Sequence, residues 1–248
     1  MRRILFLIVI AVAIGDLEAQ ATGQIANYSS SGNAGYNAVG QLNAVLGPIQ
    51  DAEQKLTAAQ QNFQGSPYTS EEFLPTTLYY GEENLGPLFY RYNAYNEEIE
   101  IKKTNLENEG IRALGRDKKI SLLVNGKPMS FSTFIDKKGL TQNGYLTLLQ
   151  EGKYSLYKRT DVKYTEGQKA QNSFVPAIPA RFSKFTEYYL SLEGQNRIDE
   201  LELSNRKLLK LASEADKEAL KQFLKEQKIK INNEQDALKV LEFLNTSK

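Results

Sequence analysis

Three glutamates, Glu97, Glu98 and Glu100, crowd one short run and are the first groups in this chain that could do chemistry. Two carboxylates can share acid and base duties in glycoside hydrolysis when they sit roughly 5 to 10 Å apart. On an extended strand Glu98 and Glu100 share a face at a separation of about 7 Å, which satisfies that requirement. The same alternation of glutamate with Ile99 and Ile101 is also how a strand with one wet face is written. A calcium site would need more oxygen ligands than the run provides. On this reading no residue is assigned a catalytic role.

A second constellation is Ser204-Asn205-Arg206-Lys207, which has the S-x-x-K spacing of penicillin-recognising enzymes. The companion motifs S-D-N and K-T-G are absent from the chain. Ser204 also stands where a helix cap belongs, and capping is the expected role. A third set is aromatic: Tyr79, Tyr80, Tyr90, Tyr92 and Tyr95, with Tyr154, Tyr157, Tyr188 and Tyr189. Tyrosine offers a stacking surface and a polar handle for a sugar or peptide, and it also builds cores and cross-strand pairs. Arg91, set among these rings, could hook a carboxylate or phosphate, or lie over an aromatic face. Tyr90, Arg91, Tyr92 and Tyr95 are the candidate binding residues.

Composition removes whole classes of chemistry. The 248 residues contain no cysteine, histidine or tryptophan. Without histidine there is no Ser-His-Asp triad, no His-type zinc hydrolase and no His-ligated haem. Without cysteine there is no thiolate nucleophile and no disulfide framework. No cofactor or metal is expected. A formal net charge of +1 gives no global field to recruit nucleic acid. The hydrophobic share of 41% and charged share of 25% fit a folded globular chain.

The chain begins MRRILFLIVIAVAIGDLEAQA. Two arginines precede an apolar run from Ile4 to Ile14, and Ala19-Gln20-Ala21 supplies the small residues a signal peptidase reads, so residues 1–21 are expected to be a signal peptide. The run is too short for an ordinary transmembrane helix, and no later segment approaches that length. Residues 22–64 read as a Ser/Gly/Asn-rich leader followed by an amphipathic helix over Ile49–Phe63, from the stripe Leu42, Ile49, Leu56 and Phe63. Residues 65–203 read as an antiparallel β domain. Pro87–Tyr95 and Glu98–Lys102 alternate with a period of two: Leu88, Tyr90, Tyr92 and Ala94 share one face, Ile99 and Ile101 face inward and the glutamates keep the outer face wet, while the alternation leaves open whether Tyr90, Arg91 and Tyr92 are packed away or presented to a partner. Asn125-Gly126 marks a tight hairpin, and Glu151-Gly152 and Gly194-Gln195-Asn196 mark two more. From Ser204 the apolar period becomes helical, with expected caps at Ser213 (with Asp216) and Asn232 (with Gln235).

The fold class expected is α+β: an antiparallel β-meander rolled into a barrel or sandwich, with an N-terminal helix and a C-terminal helical appendage over 204–248. The segments GSPYTSEEF, YYGEENLGPLFYRYNAYNEEIEIKK, LVNGKPMSF, EGKYSLYKR and PARFSKFTEYYL, with the Leu/Lys-rich end, resemble a family of uncharacterised exported proteins from Gram-negative bacteria. The resemblance implies export and a single architecture over most of residues 65–248, and transfers no site residues. The function expected is that of a non-catalytic exported interaction or binding protein of the periplasm or outer membrane, with an envelope protein or outer-membrane complex as partner. The alternatives are a carboxylate-dependent glycan hydrolase and a β-barrel carrying a small ligand.

Overall fold

The structure, a computed structural model, describes residues 63–246 apart from 171, 173 and 175. The expected signal peptide, the leader and the amphipathic helix up to residue 62 lie outside the described residues. Phe63, the expected end of that helix, is already in a strand, so the sheet begins two residues earlier than the 64/65 boundary read from the sequence. The strands are β1 Phe63–Gln64, β2 Leu74–Tyr80, β3 Glu83–Asn93, β4 Glu98–Lys102, β5 Arg112–Ala113, β6 Ile120–Val124, β7 Lys127–Ile135, β8 Thr141–Gln150, β9 Tyr154–Thr165, β10 Ala180–Leu192 and β11 Ile198–Glu200. Three helices follow: α1 Asn205–Leu211, α2 Glu214–Glu226 and α3 Glu234–Thr246.

The expected single meander is in fact two. β2 to β5 form one antiparallel run and β6 to β11 the other, and they join through β2 pairing with β6. β6 returns to pair with β2, so β3, β4 and β5 fan out on the far side of β2. Two pairings are parallel, β1 with β10 and β11 with β7. The sheet is therefore mixed. The Asn125-Gly126 hairpin forms as expected: both residues have positive φ, 52° and 76°, which a type I′ turn requires.

β11 bridges β10 and β7, so the pairings β7–β8–β9–β10–β11–β7 close a ring. Each of those strands contributes one side chain to a small cluster: Phe134, Leu146, Tyr157, Tyr189 and Ile198. Phe134 and Tyr189 meet at a centroid distance of 4.5 Å. A second, larger core packs β2, β3, β4, β6 and β7 together with Tyr145 and Val162. The third core lies beneath the helices, where Tyr154, Leu156 and Leu190 meet Leu220, Leu224, Ala237, Val240, Leu241 and Leu244. The i, i+3, i+4 spacing of these last residues gives α2 and α3 one apolar stripe each. None of the helices among the described residues is long and apolar enough to cross a membrane.

Ser204 caps α1: its hydroxyl accepts the Lys207 N–H, and Lys207 pairs with Glu202 at 3.0 Å. The S-x-x-K spacing is thus a helix start. Two cap expectations shift. Asn233, not Asn232, caps α3 by accepting the Asp236 N–H at 2.9 Å. The Ser213 hydroxyl makes no capping bond to the helix backbone. It donates to the Asp216 carboxylate at 2.5 Å, which also takes Tyr154 Oη at 2.6 Å and Lys153 Nζ at 2.6 Å. Tyr154 Oη in turn accepts the Ser213 N–H at 2.8 Å. This knot ties the β8–β9 hairpin to the first turn of α2.

Burial works to raise the Asp216 carboxyl, but hydrogen bonds from Lys153, Ser213 and Tyr154 outweigh it and bring it from the ordinary 3.8 to about 2. A carboxyl held low in the folded state stabilises the fold above its ordinary value, and that contribution disappears as pH falls through its own value. The knot is therefore at full strength above pH 3.8 and is lost as the pH approaches about 2. Thermal melts of wild type and Asp216→Asn should differ at pH 5 and converge near pH 2. Parallel melting curves across that range would show that the carboxylate does not hold the hairpin to the helix.

Candidate functional site

The four expected binding residues do not converge. Alternation along β3 sends Tyr90 and Tyr92 inward with Leu88, and Arg91 to the opposite face, where it stays half-buried. Arg91 grips Glu100 through Nε at 3.0 Å and Nη2 at 2.6 Å, and its guanidinium lies over the rings of Tyr68 and Phe73 at 4.1 and 4.7 Å. Tyr95, 51% exposed, lies past the end of the strand and meets Phe182 edge-on at 5.3 Å.

The expected wet face of β4 is overturned at Glu100, which is only 2% exposed. Register places it directly opposite Arg91, and Tyr68 Oη donates to it at 3.1 Å. A cross-strand ion pair roofed by two rings can be buried where a lone carboxylate cannot. Burial and the adjoining carboxylate push the Tyr68 phenol up to about 12. Glu98 accepts from Asn96 Nδ2 at 2.9 Å.

Glu97, marked in the sequence only as a member of an acidic run, is the hub. It sits in the β3–β4 turn with φ 54°, a left-handed conformation a glutamate rarely adopts. Its carboxylate accepts from Tyr92 Oη at 2.5 Å, the Tyr145 N–H at 3.1 Å, and Arg159 Nε and Nη2 at 3.1 and 2.5 Å. Arg159 also holds Glu187 at 2.8 Å and Asp161 at 3.3 Å. Tyr189 Oη donates to Glu187 at 2.9 Å. The carboxylate lies so close to Gly144 that a Cβ there would sit 2.9 Å from Glu97 Oε1. Burial works to lower the Arg159 guanidinium, but Glu97, Glu187 and Asp161 raise it above its ordinary value. Burial, then Glu97, raises the Tyr92 phenol well above its ordinary value. Each charge has a counter-charge, so this network is built as a latch between the two meanders.

Beside the latch lies a cleft of about 390 Å³, lined by the inward faces of β3, β7, β8 and β9 and by the start of α3. Its floor is Tyr90, Tyr92, Met129 and Tyr145, all buried. Tyr145 meets Tyr92 and Phe131 edge-on at 5.6 and 5.3 Å, and its hydroxyl is buried with no hydrogen-bond partner among the described residues. Thr147, Leu149 and Thr160 form half-buried walls. At the rim Lys158 pairs with Glu234 at 2.8 Å, and Tyr188 Oη donates to the same carboxylate at 2.9 Å. Burial works to raise Glu234, but those two bonds outweigh it and hold the carboxyl below its ordinary value. Lys127, exposed just after the Asn125-Gly126 turn, also lines the cleft and has no charged partner among the described residues.

The arrangement is a concave apolar site with a few polar groups at its edge, the usual form of a small-molecule pocket. Tyr90 and Tyr92 were legible as members of it, but Met129, Tyr145, Lys127 and Lys158 come from strands whose neighbours only the register reveals. Among the described residues no group of three or more acidic, His or Cys side chains is placed to hold a metal ion. No family model, no curated protein and no solved structure matches this chain.

Proposed function

We propose that this protein is an exported, non-catalytic binding protein of the cell envelope. Its cleft takes a small amphipathic ligand with an apolar ring system and one acidic group. The observation that carries this reading is the buried aromatic floor of Tyr90, Tyr92 and Tyr145 beneath a rim whose uncommitted charge is Lys127. Rings stack edge-on or offset against such a floor, and a lysine reaches an acid as a flexible point charge. Export rests on the basic, apolar and small-residue regions of residues 1–21.

The ring of strand pairings favours reading the sheet as a small barrel, yet its interior is filled by Phe134, Leu146, Tyr157, Tyr189 and Ile198. A ligand held inside the ring, as in a lipocalin, is thereby disfavoured, and the cleft lies on the other face of β8 and β9. Of the two carboxylates the hydrolase reading drew on, Glu100 is a buried counter-ion of Arg91, which disfavours it as the acid or base.

The test uses 1-anilinonaphthalene-8-sulfonate, which combines fused rings with an anion. Folded protein should enhance its fluorescence saturably. Thr147→Trp, which fills the cleft, should weaken binding roughly tenfold or more, and Lys127→Gln should weaken it with the melting temperature unchanged. Absence of saturable binding, or binding indifferent to both substitutions, would sink the cleft as the site.

A further inference from the structure

β10 has an edge that the described residues leave uncovered. One side of the strand pairs with β9 along its whole length from Arg181 to Leu192. The other side is occupied only at its ends, by β1 at Ala180 and Arg181 and by β11 at Tyr189 to Ser191. The Leu201 N–H donates to the Tyr188 carbonyl at 2.7 Å, so even-numbered residues of β10 turn their main-chain groups away from β9. The N–H and C=O groups of Lys184 and Thr186 therefore point outward. They find no partner among the described residues, and both residues are exposed.

A cleft of about 540 Å³ follows this edge, with Phe185, Thr186 and Glu187 on one side and Glu200 to Leu203 on the other. Phe185 is 46% exposed there, with Lys163 Nζ over its ring at 5.1 Å. The carboxylates of the cleft are already engaged: Glu187 by Arg159 and Tyr189, Glu200 by the Lys137 N–H, and Glu202 by Lys207. The cations along the edge are not. Arg181, Lys184 and Lys137 form no ion pair among the described residues: Lys137 acts on Glu202 only from beyond contact distance, and Lys184 Nζ reaches the Thr69 carbonyl at 3.4 Å. An unpaired ladder is satisfied by another extended backbone, and uncommitted cations select for acid.

We infer that β10 captures an extended, acidic segment of a partner polypeptide, which adds as a short strand between β1 and β11. Its main chain bonds Lys184 and Thr186, an apolar side chain rests on Phe185 and Leu203, and its carboxylates, on the opposite face, meet Lys184. The surface is separate from the aromatic cleft and stands or falls independently of it.

The experiment titrates the full chain with a labelled peptide of alternating glutamate and valine, six residues long, and follows amide exchange at Lys184 and Thr186. Binding should protect both amides. Thr186→Pro, which removes an outward N–H but none from the β9 ladder, should abolish binding. Lys184→Glu keeps the backbone intact and should weaken binding roughly tenfold; a peptide N-methylated at alternate positions should not bind. The inference is overturned if the peptide does not bind or if both variants bind as wild type does. It is equally overturned if the two amides are already protected in the free protein, or if the edge pairs with a second copy in sedimentation.

Discussion

Glu97→Ala lowers the unfolding free energy by about 3 kcal/mol, the lower end of the range for stranding one member of a buried ion pair. The carboxylate takes four hydrogen bonds, and Arg159 and Glu97 are only 15% and 17% exposed. Removing it leaves the Tyr145 N–H and the Tyr92 hydroxyl partly desolvated without an acceptor and takes from Arg159 its shortest pair, leaving it Glu187 and Asp161. Glu97→Gln keeps an acceptor and the shape, and should cost less than alanine. The backbone adds a second, separable effect. At φ 54° a residue with a Cβ is strained by about 1 kcal/mol relative to glycine, so Glu97→Gly should be less damaging than alanine despite making the same contacts. Chemical denaturation of the three variants checks both effects. Equal midpoints for alanine and wild type would show that the latch holds nothing.

Tyr154→Ala should cost about 3–5 kcal/mol, the range for deleting a buried aromatic ring. Tyr154 is fully buried between β9 and the helices. Its hydroxyl bonds Asp216 and the Ser213 N–H, and its main chain bonds both ends of the Asn245 amide, at 2.7 and 3.0 Å. Tyr154→Phe keeps the ring and removes only the hydroxyl, for a cost of about 1–2 kcal/mol. The alanine variant should also expose the helices to protease while β7 to β10 remain protected in hydrogen exchange, since the ring cluster of Phe134, Leu146 and Tyr189 lies apart from Tyr154. Cooperative loss of sheet and helices together would refute that separation.

Local pattern carried most of the architecture. Period-two alternation placed Ile99 and Ile101 inward and set Tyr90 and Tyr92 on one face, whose burial only the structure decides; Asn125-Gly126 set its hairpin, and the change of period at Ser204 set the start of the helices. What local pattern could not carry was register between distant strands. Nothing near β2 says that β6 will return to pair with it, because that contact depends on what remains unpaired after β3 and β4 have folded away. Glu100 read as wet because its partner Arg91 is visible only once the two strands are aligned. Glu97 stood out only as part of an acidic run, not as a hub, since its donors Tyr145 and Arg159 lie 48 and 62 residues away. The cleft was half legible for the same reason: Tyr90 and Tyr92 come from the dense tyrosine run, while the other walls come from elsewhere in the sheet.

The amide of Asn245 clamps the main chain of Tyr154 across 91 residues of sequence. Joining points so far apart costs more chain entropy than closing any of the hairpins, which form within a few residues. The helical layer therefore settles after the hairpins. Until it does, the apolar face of Tyr154, Leu156 and Leu190 stands open on an otherwise assembled sheet. In a chain without cysteine no covalent bond shortens that interval. The sooner α2 and α3 find the hairpin, the shorter the time that face is open to aggregation.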